Sequence, residues 1–468
     1  MTDRGTVTFG TTKDKLAWFA NLPTSVRPAL RLRHQLPNGF GQVVTPLSSG
    51  DVEQACEMYA GRFAFAGHII TASPSDVFLP NTATPSWREA ILSLDWLADF
   101  NASHRSLHDQ FAMRLLHYWS TSKRDEIGIA KQTRIVISLA TEGQMIAQRC
   151  ATSTHNRYFE IITQELNRLL KIRVRNSEQS LSKAIALLYC LNCFQGLGHL
   201  REMAYELIDR NLDQVILPDG GHVSRSAAKL IEFLEIIVPL AQLKSPIMPP
   251  KLSRAAENGL AMLKLLQCPD DKLPRLLGVQ DIVVPKLNFA PHSGFARIDH
   301  EKATLIADTS SRLGLVLFDG KQRLIKTEVI ETERMRPAMV QSAPQGTVLL
   351  MYSNKHKRTC FLSADGHDLR IEDEFGVGAN AAIIIQVAAS IRLSSLMEGQ
   401  AVMLVLPDQS VWHLKQRGGI LDIRQSGLHT EISLQPKDGG KMNWSLKKQA
   451  KITKVPRKKA GFETGLLI

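Results

Sequence analysis

The stretch RNLDQVILPDGGHVSRSAAKLIEF, residues 210–233, joins two predicted helices through a sharp turn. On both sides of the turn, apolar residues recur at intervals of three and four, which is the pattern of amphipathic helices. Pro218–Gly221 gives a strong turn signal because proline and glycine interrupt regular structure. Ser224 stands where the N-cap of the second helix is expected. The stretch therefore predicts a helical hairpin.

The same periodicity extends through most of the first half of the chain. It runs from Trp87 to Leu170 and returns in later runs at 180–194, 199–216 and 252–266. Many helices of similar length with short connections favour hairpins packed into a bundle or an incomplete toroid. Cys190 and Cys193 fall inside one apolar run without a second cysteine pair, so we predict a buried helical pair and not a zinc or redox site.

The residue pattern changes near Val283, where short runs rich in strand-forming residues begin to alternate with turns. The runs read LGLVLF, LIKTEVI, TVLLMY, TCFLS, AAIIIQV, AVMLVLP and EISLQP. Short strands at this spacing predict an antiparallel sandwich or stacked sheets. The prediction is an α+β multidomain protein with four parts: an N-terminal arm (1–50), a helical domain (51–280), an antiparallel β domain (281–445) and a basic tail (446–468).

The composition indicates a globular protein with anionic partners. Of the 468 residues, 44% are hydrophobic and 22% charged, and the formal net charge is +12. Such an excess favours acidic polysaccharide, nucleic acid or a membrane surface. No apolar run is long enough to span a membrane and no signal peptide is evident, so a cytoplasmic location is expected. Zinc-finger spacings and aromatic ribonucleoprotein motifs are absent, which disfavours specific nucleic-acid recognition.

Part of the positive charge lies at the end of the chain, where eight cations occur without an intervening acid. They are Lys441, Lys447, Lys448, Lys451, Lys454, Arg457, Lys458 and Lys459. This run could bind an anion, but we favour the interpretation as a solvated, frayed tail. The sequence gives no indication of oligomeric state.

Several stretches together resemble the heparinase II/III-like proteins. In chain order they are YAGRFAFAG at 59–67, Trp87 with SLDWLADF at 93–100, ILPDGGHVSRS at 216–226, HSGF at 292–295 and LSADGHDL at 362–369. Glu372, Asp373 and Trp444 fit as well. The stretch at 216–226 is the most specific of them. The resemblance covers nearly the whole chain.

The resemblance implies an (α/α) incomplete toroid followed by stacked antiparallel sheets, with an acidic sugar chain in the cleft between them. It also implies a carbon–oxygen lyase that cleaves uronate-containing polysaccharides by β-elimination without a cofactor. In that reaction a base removes the proton next to the carboxylate, and an acid protonates the leaving oxygen. Some members carry a structural metal in the β half, but we predict no metal ligands here. The resemblance also offers the cell envelope or periplasm as an alternative location.

The chain departs from the family at the positions that carry the chemistry. Where the family continues from the DGGH motif to a Tyr-His pair, this chain has Lys229 and Leu230. Strands with the catalytic histidine should follow Asp308-Thr309, but the chain runs directly into Ser310-Ser311, as if an internal segment of the β domain were deleted. A His-x-His-Pro motif is replaced by residues 386–389, QVAA. These departures predict an impaired active site.

The remaining candidates are three residues. His222 lies near a predicted helix start, which favours anions, and is the candidate catalytic residue. Arg225 and His292 are the candidate substrate-binding residues, Arg225 through a bidentate contact with a carboxylate. Each has a structural alternative, as part of a turn or a loop. For Tyr59 and Arg62 we prefer a packing role.

Asp365 and Asp368 lie in an Asp-Gly turn, and a structural role in that turn explains both residues well.

The sequence leaves three functions open. The first is an impaired polysaccharide lyase. The second is a non-catalytic protein that binds acidic glycan or associates with the envelope. The third and weakest is a decayed product with a damaged β domain.

Overall fold

The computed structural model describes thirteen stretches of the chain. They are residues 36–47, 49–79, 83–122, 127–243, 245–269, 287–309, 314–329, 339–352, 356–376, 382–396, 400–426, 429–437 and 440–449. The chain divides into two compact units, of residues 1–264 with 274–286 and of residues 265–273 with 287–468. The predicted domain boundary near 281 lies outside the described residues.

The first unit is helical. Its described α-helices are α1 (Val52–Tyr59), α2 (Pro85–Leu92), α3 (Trp96–Ser103), α4 (Ser106–Thr121), α5 (Ile129–Ser138), α6 (Gln144–Arg149), α7 (His155–Lys171), α8 (Ser177–Cys193), α9 (Arg201–Val215), α10 (Ala227–Gln242) and α11 (Pro250–Leu266). A π-helix, Leu139–Gly143, connects α5 to α6. The helical runs predicted from periodicity are all present.

Short strands complete this unit. β1 (Gly39–Phe40) pairs with β4 (Phe194–Gln195), and β2 (Arg62–Phe65) pairs with β3 (His68–Thr71). The main-chain N–H of Gly41 also donates to the carbonyl of Cys193 at 2.7 Å. This part of the predicted N-terminal arm is therefore hydrogen-bonded to the end of α8.

Buried tryptophans fix the early helices. The indole N–H of Trp87 donates to the carbonyl of Phe63 at 3.0 Å, and that of Trp96 donates to the carbonyl of Ile91 at 2.9 Å. Both rings are almost fully buried. A buried indole fills volume in the core and satisfies its one hydrogen-bond donor. These contacts therefore fix the positions of the helices, which the periodicity of apolar residues does not determine. Cys190 and Cys193 are buried in α8, and burial raises the pKa of the Cys193 thiol to about 12.

The second unit consists of two eight-stranded antiparallel sheets. The strands are β5 (Phe289–Ala290), β6 (Phe295–His300), β7 (Ala303–Asp308), β8 (Gly314–Asp319), β9 (Gln322–Val329), β10 (Met339–Ala343), β11 (Gly346–Tyr352), β12 (His356–Ser363), β13 (Asp368–Phe375), β14 (Ile383–Val387), β15 (Arg392–Leu396), β16 (Ala401–Val405), β17 (Val411–Arg417), β18 (Gly419–Ser426), β19 (His429–Pro436) and β20 (Lys441–Lys448). The first sheet has the order β18-β19-β14-β9-β8-β7-β6-β5, and the second has the order β10-β11-β12-β13-β20-β17-β16-β15.

The two sheets share one apolar core. Residues from both contribute to it, for example Leu317 and Ile385 from the first sheet and Leu362 and Leu414 from the second. Alternate residues of each strand point to opposite faces, so the intervening residues of the second sheet remain on its outward face. The central strand of that sheet is β20, which pairs with β13 on one side and β17 on the other.

The connection at the predicted deletion is closed by strand pairing. β7 and β8 are direct antiparallel neighbours, with Asp308 opposite Gly314 and Ala303 opposite Asp319. The first sheet continues without interruption through this pair. A deletion at this point therefore leaves no open sheet edge between β7 and β8, which removes the aggregation hazard that an exposed edge would create.

The predicted basic tail begins too early. β20 extends to Lys448, and Leu446 is buried between its partners Leu369 and Leu414. Burial of alternate residues keeps the chain in the sheet, so residues 446–448 belong to the strand although two of them are lysines. Residues 450–468 lie outside the described residues.

A buried ion cluster lies inside the second sheet. The carboxylate of Asp373 accepts hydrogen bonds from Nε of Arg358 at 2.6 Å and from the indole N–H of Trp444 at 3.0 Å, and it lies 2.8 Å from Nε2 of His356. Both side chains of the Arg358–Asp373 pair are 0% exposed. Burial by itself would raise the pKa of Asp373, but the Arg358 guanidinium and His356 outweigh it and lower that pKa below its usual value.

The ion cluster generates a stability prediction. We expect Arg358→Met to lower the free energy of unfolding of this unit by about 3–5 kcal/mol, because Asp373 would stay buried without its counter-charge. Urea unfolding followed by tryptophan fluorescence measures the change, since Trp444 lies in the cluster.

A matched control is Arg424→Met. Arg424 pairs with Asp422 at 2.7 Å, and their side chains are 75% and 51% exposed. An exposed pair contributes less than about 1 kcal/mol. Equal losses in the two variants would show that the buried cluster has no special part in stability.

Candidate functional site

The DGGH motif forms a tight hairpin after α9. Ile216 and His222 form an antiparallel bridge, and the N–H of Leu217 donates to the carbonyl of Gly221 at 2.8 Å. Gly220 has φ +88°, and a Cβ there would lie 2.2 Å from the main chain of Asn258. Only glycine fits this position, because the backbone is left-handed and the neighbouring helix α11 lies against it.

The His222 ring is held by the residues that follow it. Its Nδ1 lies 2.7 Å from Oγ of Ser224 and accepts the main-chain N–H of Ser224 at 3.1 Å. A main-chain N–H can only donate, so Nδ1 carries a lone pair and the neutral ring has its proton on Nε2. His222 is 5% exposed, and burial lowers the pKa of its imidazole below the usual value.

The predicted helix start needs a correction. The N-cap of α10 is Ser226, whose hydroxyl accepts the N–H of Lys229 at 3.4 Å. Ser224 cannot cap the helix because it lies within the turn and contacts His222. His222 therefore lies ahead of the helix, in the β-bridged turn, and not in the first turn of the helix. Arg225 is half-buried with φ +58°, and its N–H donates to the carbonyl of His222 at 2.7 Å.

A cavity of 160 Å³ lies beside His222. Its charged lining residues are Arg134, Glu178, Lys229, Glu232 and Glu235. The volume is below the roughly 300–1,000 Å³ of typical ligand pockets, and the acids outnumber the cations. This cavity alone is therefore a poor site for a uronate chain.

Lys229 lies at the position where the resemblance leads us to expect a Tyr-His pair. Its ammonium group lies 2.9 Å from Glu232 and 3.4 Å from Glu178. The hydrogen bond to Glu232, with the negative charge of Glu178, raises the pKa of Lys229 above its usual value. Lys229 therefore stays charged and cannot act as a base near neutral pH.

Three tyrosines of the helical unit are hydrogen-bonded to the main chain. Tyr189 donates to the carbonyl of Ile236 at 2.8 Å, Tyr205 donates to that of Ile247 at 2.9 Å, and Tyr158 donates to that of Leu139. Among the described residues that line the His222 cavity there is no tyrosine and no second histidine. Within the described lining of this cavity, His222 therefore has neither the tyrosine nor the second histidine that the resemblance leads us to expect.

The other candidates lie elsewhere. His292 is exposed in the turn between β5 and β6, so it belongs to the second compact unit, whereas His222 and Arg225 belong to the first. Asp365 accepts hydrogen bonds from Ser363 and from the N–H of His367, which closes its turn. Asp368 pairs with Arg370 at 2.6 Å.

Tyr59 is 42% exposed and contacts two aromatic rings, and Arg62 takes part in an exposed ion pair. The Tyr59 ring lies 4.8 Å from that of His108 and 5.4 Å from that of Phe111. Arg62 pairs with Glu57 at 3.4 Å.

The helical unit contains a second polar cluster that the sequence analysis did not predict. Glu142, in the π-helix, accepts a hydrogen bond from the amide of Asn101 at 2.6 Å. Arg149 donates to the Asn101 oxygen at 2.8 Å and holds Asp109 through two hydrogen bonds of 2.7 and 2.9 Å. Burial raises the pKa of Glu142 to about 7 and that of Asp99 to about 6. Such values suit proton transfer near neutral pH.

The signal for this cluster in the sequence is weak. A glycine within a helical run, Gly143, marks the π-helix, and π-helices occur often at functional sites. The partner Asn101 is 41 residues away, so only the fold reveals the contact.

Comparison with known proteins finds a similarity within the β unit. A family model described as heparinase II/III-like, C-terminal, matches residues 340–452. This part of the β unit is therefore similar to the C-terminal region of heparinase II/III-like proteins. The search of curated proteins gives no match to this chain.

Solved structures extend the likeness to the whole fold. A heparan sulfate lyase from Pedobacter heparinus gives a TM-score of 0.63 at 9% identity, over 91% of this chain and 87% of its own. A heparinase III gene product gives 0.62 at 10% identity, over 91% and 88%, and another heparinase III gives 0.57 at 11%, over 91% and 89%. At these identities the likeness shows the fold alone. It confirms the predicted helical toroid followed by stacked antiparallel sheets.

Two further observations apply to the described part of the chain. No helix there has the length and apolar character needed to cross a membrane. No group of three or more histidine, cysteine, aspartate or glutamate side chains there could hold a metal ion.

The turn geometry generates one prediction. We expect Gly220→Ala to destabilise the helical unit by roughly 1–3 kcal/mol, because a strained φ and a clash with Asn258 are added together. Gly198→Ala is the control, since a Cβ at Gly198 would have nothing within 4 Å. Thermal unfolding by circular dichroism compares the two, and equal melting temperatures would contradict the assigned turn.

The Glu142 cluster generates a pH prediction. The folded state binds the Glu142 proton more tightly than the unfolded state does, so this group stabilises the fold below about pH 4.5 and that contribution is lost as pH rises towards about 7. Glu142→Gln keeps an acceptor for Asn101 but has no charge to bury. We therefore expect the variant to melt above the wild type at pH 8 and not at pH 5.

The exposed residue Glu202 provides the control for that experiment. Glu202→Gln should shift the melting temperature little and equally at both pH values. A pH-independent difference between Glu142→Gln and the wild type would show that Glu142 is not buried as a titrating group.

Proposed function

We propose that this heparinase II/III-like protein binds an acidic, uronate-containing polysaccharide and that its β-elimination chemistry is impaired. The proposal has two parts, the loss of the base and the retention of affinity for a polyanion. They rest on different observations and are tested separately.

The hydrogen bond from the Ser224 N–H to Nδ1 of His222 carries the first part. Because this donor fixes the lone pair on Nδ1, the proton lies on Nε2, and the ring has no free lone pair with which to take a proton from a sugar. The lowered pKa also disfavours the doubly protonated ring, so His222 is a poor general acid. In this state His222 supports the turn and can at most donate a hydrogen bond through Nε2.

The charge of Lys229 supports the same conclusion. β-Elimination needs a group that can accept a proton in the transition state. Lys229 is held protonated between two glutamates, and no tyrosine lines the cavity among the described residues. The positions that matter for the family reaction thus hold groups of the wrong protonation state.

The second part of the proposal rests on charge and likeness. The net charge of +12 favours anionic partners, and the solved structures that share this fold include a heparan sulfate lyase. Arg225, half-buried beside the turn, and the exposed His292 remain the proposed contacts for glycan carboxylates. Neither residue has to exchange a proton in this role.

The first test is a lyase assay. The absorbance of newly formed unsaturated uronate is followed on heparan sulfate, alginate and hyaluronan, with an active heparinase as the positive control. We expect no rise with folded wild-type protein, together with retention of the protein on immobilised heparan sulfate at low salt. A rise that disappears in His222→Ala would overturn the proposal.

A second variant separates the remaining outcome. Elimination that persists in His222→Ala but disappears in Glu142→Gln would place the base in the π-helix cluster, where the carboxyl pKa of about 7 suits a proton acceptor. The protein would then be a lyase with a relocated base, and the impaired-lyase proposal would be wrong.

A further inference from the structure

The outward face of the second sheet carries a groove of 440 Å³. Its floor is the central strand β20, with Asn443 and Ser445 facing outward. β13 forms one side through Arg370 and Glu372, and β17 forms the other side through Lys415 and Arg417. All of these residues belong to the second compact unit, so the groove is a feature of that unit alone.

Strand register sets out the groove in two rows across the strands. In the first row Ser445 lies between Arg370 and Lys415. In the second row Asn443 lies between Glu372 and Arg417. Since β13 and β17 each lie one strand spacing from β20, the two sides are roughly 10 Å apart, with small polar side chains between them.

The cations on the two sides differ in their partners. Arg370 pairs with Asp368 at 2.6 Å and lies over the Phe361 ring at 5.7 Å, and Glu372 pairs with Lys441 at 2.7 Å. Across the described residues, Lys415 and Arg417 have no ion pair. Both are exposed, so two charges on one side of the groove are available to an anion from solution.

The floor of the groove is rigid. Beneath it the indole of Trp444 points inward and donates to the buried Asp373, and β20 is hydrogen-bonded on both sides. A preformed surface loses little conformational freedom on binding, which favours affinity for an extended ligand.

We propose that this groove binds a segment of an acidic polysaccharide, with Lys415 and Arg417 contacting its carboxylates or sulfates and Ser445 and Asn443 hydrogen-bonding its hydroxyls. The choice of ligand rests on the proposed function, but the site is separate from the His222 turn. At the end of the first row, the half-buried Phe361 ring lies under the Arg370 guanidinium and supports it beside the groove.

The groove suits a glycan better than a single-stranded nucleic acid. Proteins that bind single strands present successive aromatic rings on which bases stack. Here the lining holds two aromatic residues, Phe361 and Trp444, and Trp444 is only 2% exposed. Polar floor residues and flanking cations match a chain of hydroxyls and acidic groups.

The test measures binding of a heparan sulfate oligosaccharide to the full chain by isothermal titration calorimetry. Lys415→Glu with Arg417→Glu should weaken binding by about tenfold or more, equivalent to about 1.4 kcal/mol. The control is Lys302→Glu with Lys437→Glu, an equal charge change at two exposed lysines of the same unit that do not line the groove. The control pair should leave the dissociation constant unchanged.

A third variant tests shape without changing charge. Ser445→Trp fills the floor, and its side chain points outward from a strand, where tryptophan is well tolerated. It should weaken binding while the melting temperature stays that of the wild type. Uncharged dextran should not bind to any form of the protein.

The outcomes are distinguishable. Equal losses in the two charge-reversed pairs would show that overall charge, and not the groove, holds the glycan, and would overturn this inference while leaving the proposed function intact. Absence of wild-type binding to any acidic polysaccharide would overturn both. Tighter binding of oligo-dT that is lost in the same groove variant would reassign the groove to nucleic acid.

Discussion

The buried carboxylate of Asp373 is the constraint on which the second sheet depends. It binds Arg358 on the neighbouring strand β12 and Trp444 on β20, so one charged group ties three adjacent strands together. Because side chains alternate between faces, a slip of one residue in any of these strands would move the charges into solvent and the outward residues into the core. The same register that buries Asp373 therefore places Arg370, Glu372 and Ser445 on the outward face. Core and groove are two consequences of one strand alignment.

This constraint also explains where sequence interpretation succeeded and where it failed. Helices with regular apolar spacing, such as α7, and strands such as β11 follow from pattern alone. β13, with the sequence DLRIEDEF, does not, because its inward positions include Asp373. An acid at a core position interrupts the alternation of apolar and polar residues that indicates a strand. The sequence of this stretch therefore indicates a polar motif and does not predict a strand. Only the placement of Arg358, fifteen residues away, makes that acid compatible with burial.

The candidate site shows the same limit at shorter range. The turn at Pro218–Gly221 was predictable, since proline and glycine interrupt regular structure and Gly220 takes a left-handed backbone conformation. The state of His222 was not, because it depends on which atom of Ser224 lies against which ring nitrogen. The N-cap of α10 is Ser226 and not the predicted Ser224, because Ser224 contacts His222 instead. Glu142 could not be found in advance, since burial raises its pKa and spacing specifies neither that burial nor the π-helix that contains the residue.

Binding and elimination place different demands on one scaffold. Elimination requires a base whose lone pair is free and whose pKa matches the reaction, and a single donor such as the Ser224 N–H is enough to remove that lone pair. Binding a polyanion requires only fixed cations on a rigid surface, and the strand pairing that keeps β7 beside β8 and β20 between β13 and β17 preserves such a surface. A change that removes strands bearing catalytic histidines can therefore abolish chemistry while the sheets still close. If the lyase chemistry is impaired as we propose, affinity for an acidic glycan is the property that this fold can retain.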